Sequence, residues 1–136
     1  MANNKSIGVA FLDQDIVGAQ YLLSDEQLGY TAAGQGTVTQ ATDKSTAVTL
    51  NKPAGRITMN GAALGANTAV SFTLNNSFIS SNDLIIVNVS AGGTAGAYTT
   101  YVSSMTAGSA VLTLRNMTAG SLSEAVVLNY AIVHCV

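Results

Sequence analysis

Charge is what this chain has least of. Only 9% of its 136 residues are charged, with 5 Lys and Arg against 7 Asp and Glu. A disordered tail needs high charge and low hydrophobicity, so that class is excluded. Lys5, Lys44, Lys52, Arg56 and Arg115 are scattered. They form no clustered surface of the kind that displaces counterions from phosphates, and no nucleic-acid partner is expected. The single cysteine, Cys135, has no internal partner for a disulfide, which points to synthesis in reducing cytoplasm. No cationic leader precedes an apolar stretch, and no apolar run approaches the length of a membrane span. Neither secretion nor a membrane partner is expected.

In place of charges stand Gly, Ala, Ser, Thr and Asn. Charges normally hold protein surfaces apart, so much of this surface is expected to be covered by partners or built from Ser/Thr/Asn strand faces. One chain of this length makes one packed domain without help from metal or disulfides.

The stretch DLIIVNVS, residues 83–90, reads as a central strand. Leu84 to Val87 are apolar without a break, and Ile85, Ile86 and Val87 are β-branched. Such a run suits a strand covered on both faces, and its length between turn signals favours a strand over a buried helix. Elsewhere the apolar residues alternate. Ile57 and Met59 share one face; so do Val70, Phe72 and Leu74, then Leu112 and Leu114, then Val126, Leu128, Tyr130 and Ile132. Thr113 and Arg115 are expected to face outward. Tyr98 and Val102 are expected opposite Tyr101 and Met105. With Gly, Asn and Ser turns between, about eight short strands follow Gly36 and no helices separate them. The fold class is therefore all-β, an antiparallel β-sandwich or jelly roll. Parallel pairing would need crossover helices for which there is no room.

Residues 1–36 differ, and read as an N-terminal arm before a β-sandwich domain at residues 37–136. The arm holds Asp13, Asp15, Asp25 and Glu26 among apolar residues with no sustained period. One short helical turn is expected at SDEQ, capped by Ser24 with Gln27, and TAAGQG reads as a flexible end. An arm this apolar is expected to lie across a neighbouring subunit or another protein, and its contact residues are expected to be Phe11, Ile16, Val17, Tyr21, Leu22 and Leu23.

Catalysis is not expected. His134 and Cys135 are neighbours, and neighbours on a strand point to opposite faces, so within one chain they cannot act together on a metal or as nucleophile and base. No metal or cofactor is expected. Asp83 is expected to bond local backbone amides, and Glu124 to close a turn with Ser121 in SLSE. Asn75-Asn76-Ser77, Asn88-Val89-Ser90 and Asn116-Met117-Thr118 match the glycosylation pattern but read as polar strand ends. Tyr98 and Tyr101, next to the glycine loop AGGTAGA, read as packing or subunit-contact residues, with a sugar platform as the alternative.

GTVTQATDKSTAVTLNKPAGRITM near the start and TAGSLSEAVVLNYAIV at the end resemble a family of bacteriophage capsid decoration (cement) proteins, with related modules in phage tail proteins. The resemblance spans roughly Gly34 to Val133. It implies a homotrimer on the outer surface of the capsid, with the major capsid protein as partner, stabilising joints between subunits. A tail fibre or spike module binding a host receptor or glycan is the alternative, and a depolymerase is remote.

Overall fold

The computed structural model describes residues 27–135. The six arm residues expected to make contacts, and most of the expected SDEQ turn, lie outside them. Among the described residues, eight strands form two four-stranded sheets. Sheet A has the order β1 (Gln35–Thr39), β3 (Ala54–Thr58), β8 (Val127–Val133), β5 (Leu84–Ala91). Sheet B has the order β2 (Val48–Thr49), β4 (Ala69–Asn75), β7 (Ser109–Asn116), β6 (Tyr98–Thr106). The fold is all-β, as the alternation predicts. β1 begins inside the stretch read as the arm, behind a short 3-10 turn at Ala32–Gly34.

The alternating residues meet between the sheets. Ile57, Leu74, Leu112, Leu114, Leu128 and Ile132 are completely buried and belong to one core. Apolar side chains of both sheets are thus removed from water together, which is the main force holding such layers. Gly36 and Gly55 face inward, where the Leu50 side chain takes the space. A Cβ at Gly55 would stand 2.6 Å from Leu50 Cδ2 and 2.9 Å from the Gly36 carbonyl oxygen.

Pairing is mixed. β1 runs parallel to β3 and β2 parallel to β4, while the other four pairs are antiparallel. The sequence argument against parallel pairs fails because no helix is needed. β1 to β4 alternate between sheets, so each strand of one sheet serves as the crossover for the other.

Two further expectations are corrected. β5 is not central: it closes one side of sheet A, and β8 is its only strand neighbour among the described residues. Ile85 is buried, but Leu84 and Ile86 are each 55% exposed. In β6 an irregularity between Val102 and Ser104 adds one residue against β7. That shift resets the facing, so Met105 packs on the core beside Val102 and not with Tyr101.

Candidate functional site

The three acids beyond the arm are each engaged, in separate places. Asp43 closes its own turn, accepting from the Ser45 amide at 2.8 Å and the Ser45 hydroxyl at 2.7 Å. The Asp83 carboxylate is fully enclosed. It accepts from the Ser80 amide at 2.8 Å, the Ser80 hydroxyl at 2.7 Å, and, from beyond the end of β8, His134 Nδ1 at 2.9 Å and the Cys135 amide at 3.3 Å. The Ser80 bonds, followed by those from His134 and Cys135, hold its pKa far below the ordinary carboxylate value. Asp83 therefore bonds local amides as expected, and it also ties down the end of the chain. Glu124 departs from expectation. It reaches across to Thr94, accepting from its hydroxyl at 2.7 Å and its amide at 3.1 Å, while the Ser121 hydroxyl donates to the Leu64 carbonyl instead. The Thr94 bonds lower the Glu124 pKa. Tyr98 is buried near this carboxylate, and desolvation first, then Glu124, pushes its hydroxyl up to about 12. The Tyr98 hydroxyl nevertheless makes no hydrogen bond of good geometry.

Tyr98 and Tyr101 do not form a platform: Tyr98 is buried in the core and Tyr101 stands exposed on the outside of sheet B. No three His, Cys, Asp or Glu side chains among the described residues are grouped to hold a metal ion. No described helix is long and apolar enough to cross a membrane.

Buried polar residues instead fasten the loops at the two ends of the sandwich, and most of these were not singled out by sequence. Lys44 is 3% exposed. Its ammonium donates to the carbonyls of Asn60 and Glu124, and burial lowers its pKa. Gln40 donates to the Lys44 and Thr46 carbonyls and accepts from the Asn60 amide. Asn116, completely buried, donates to the carbonyls of Leu64, Gly65 and Gly120 and accepts from Thr118. At the opposite end Asn76 donates to the Lys52 carbonyl at 2.7 Å and to the Tyr130 hydroxyl at 3.2 Å. The only sequence mark of Asn116 is a glycosylation pattern, and the residue is too enclosed to serve as an acceptor.

The two outer faces differ in chemistry. On sheet B, Thr113 faces outward as expected, yet it is buried beneath Ser71 and Ser103, which share hydrogen bonds with it. That face is mainly hydroxyl. On sheet A, Leu84 pairs with Val133 and Ile86 with Ala131, all on the outer side. The incoming chain crosses here: the Tyr30 hydroxyl donates to the Ile132 carbonyl. A groove of about 480 Å³ lies between Leu28, Gly29 and Tyr30 on one side and Ile86 and residues 131–134 on the other. Leu28, Tyr30, Leu84, Ile86 and Val133 make up most of the large apolar side chains exposed among the described residues. Scattered exposed apolar residues are ordinary, but a contiguous patch marks an interaction surface. This apolar face is the candidate site.

Comparison with protein families, with curated proteins and with solved structures finds no match to this chain.

Proposed function

We propose that this is a virion structural protein, a capsid decoration protein that sits on the outside of a phage head and reinforces joints between major capsid subunits, as a homotrimer. The observation that carries the reading is the apolar outer face of sheet A, next to the point where the N-terminal segment joins the sandwich. Such a face acts by burying area against a neighbour, at roughly 25 cal/mol per Å² of apolar surface. A rigid sandwich fastened at both ends by buried Asn and Lys side chains suits a mechanical load. The sequence resemblance in GTVTQATDKSTAVTLNKPAGRITM and TAGSLSEAVVLNYAIV supports the same reading. The reading is non-catalytic, with Phe11, Ile16, Val17, Tyr21, Leu22 and Leu23 as the arm residues that reach the capsid.

Quantitative mass spectrometry of purified virions against the major capsid protein tests it. Copies in proportion to capsid subunits are expected. A few copies per particle would move the protein to the tail and replace this reading with host recognition.

A further inference from the structure

We propose that the groove and the outer face of β5 are occupied, in the free protein, by the chain's own N-terminal segment, residues 17–26. The inference goes beyond the decoration reading and holds for the free chain whether or not it binds a shell.

Three observations converge on this occupant. First, the chain already lies on this face at its last described step. Leu28 to Tyr30 wall the groove opposite Ile86, and the Tyr30 hydroxyl holds the crossing down on β8. The preceding residues therefore start beside the open side of β5, which has no strand neighbour there among the described residues.

Second, length and composition fit. β5 has 8 residues, a span of roughly 26 Å at about 3.3 Å per residue. Residues 17–23, ahead of the SDEQ turn, cover about 23 Å of that span at the same rise. They contain Val17, Tyr21, Leu22 and Leu23, separated from Leu28 by the polar SDEQ. Four polar residues suffice to reverse the chain onto β5.

Third, β5 is composed as a strand covered on both sides. Its inner residues Ile85, Val87 and Val89 pack on the core, yet Leu84 and Ile86 carry equally large apolar groups outward. Sheet B spends its outer face on Ser and Thr, so the apolar outer face is particular to sheet A. A segment joined at residue 27 is present at an effective concentration in the millimolar range, ahead of any second copy at micromolar concentration.

The full-length chain offers its own probe position. Cys135 is the single cysteine, exposed, and adjoins His134 in the groove wall. A nitroxide attached there, in isotopically labelled protein at micromolar concentration, should broaden the amide resonances of residues 17–23. Ile86→Lys should restore them to full intensity, with Leu112 and Leu114 unshifted as the check on folding. Leu22→Lys, which leaves the sandwich untouched, should do the same. Sharp resonances for residues 17–23 in the unsubstituted labelled chain would overturn the proposal. A second sample, with the nitroxide on one set of chains and the isotope on another, identifies the donor of the segment. Broadening there would also overturn the proposal, because it assigns the groove to a second copy.

Discussion

Single side chains in this protein are constrained mostly by space and by enclosed hydrogen bonds. Gly55 lies under Leu50, whose tip would have to swing aside, and against the Gly36 carbonyl, a backbone atom that yields little to an added methyl. Gly55→Ala should destabilise by about 1–3 kcal/mol, as overpacked cores do, read as a lowered urea midpoint. Gly61→Ala, with nothing within 4 Å of its would-be Cβ, is the matched control and should shift the midpoint little. The buried Asn116 side chain donates to three carbonyls. Asn116→Ala removes one donor from each, although Leu122 and Ser121, Thr68, and Thr118 still serve the Leu64, Gly65 and Gly120 carbonyls, and should cost about 1–2 kcal/mol by the same measurement. Asp83 adds a pH dependence. Its carboxyl binds a proton more weakly when folded than when unfolded. Its contribution is therefore complete above its unfolded value of about 4 and is lost as the pH falls toward the folded value. Melting temperature should fall with acid below about pH 4, and Asp83→Asn should flatten that decline. An unchanged acid slope in the variant would remove Asp83 from the account.

Elements differ in how well their sequences announce them. Period-two alternation places Ile57, Phe72, Leu74, Leu112, Leu128 and Tyr130 on core faces, and all are buried. These strands are legible because one face of each is wet and the pattern records it. β6 is not, since its extra residue shifts the facing midway and no residue type marks that position. β5 misleads in another way. Its unbroken apolar run reports two covered faces, while the sheet order leaves its outer face open among the described residues. The loop fastenings were illegible because Asn76, Asn116 and Lys44 look like ordinary turn residues. Much of their value lies in carbonyls far away in sequence, up to 80 positions distant. Native-state hydrogen exchange should rank the elements. Interior amides of β7 and β8, each paired on both sides, should exchange only through global unfolding. Val48 and Thr49 of the two-residue β2 should exchange through local opening, faster by orders of magnitude.

At the scale of the whole molecule, contacts join distant parts of the sequence. Sheet A gathers residues 35 to 133 and the core draws on both sheets. Folding dominated by such pairings proceeds in milliseconds to seconds. Because the chain has no Trp but 5 Tyr, stopped-flow tyrosine fluorescence is the practical probe, and a microsecond phase carrying the full amplitude would contradict the topology.

The position of β8 has a consequence for how the protein is made. The last described strand, β8, is an inner member of sheet A, lying between β3 and β5. On the ribosome, β5 has no neighbour to pair with in that sheet until residues 127–133 have left the exit tunnel. Sheet A is therefore completed only once β8 has emerged, and a nascent chain arrested before Val127 would present β3 and β5 with unpaired edges to whichever chaperone is nearest.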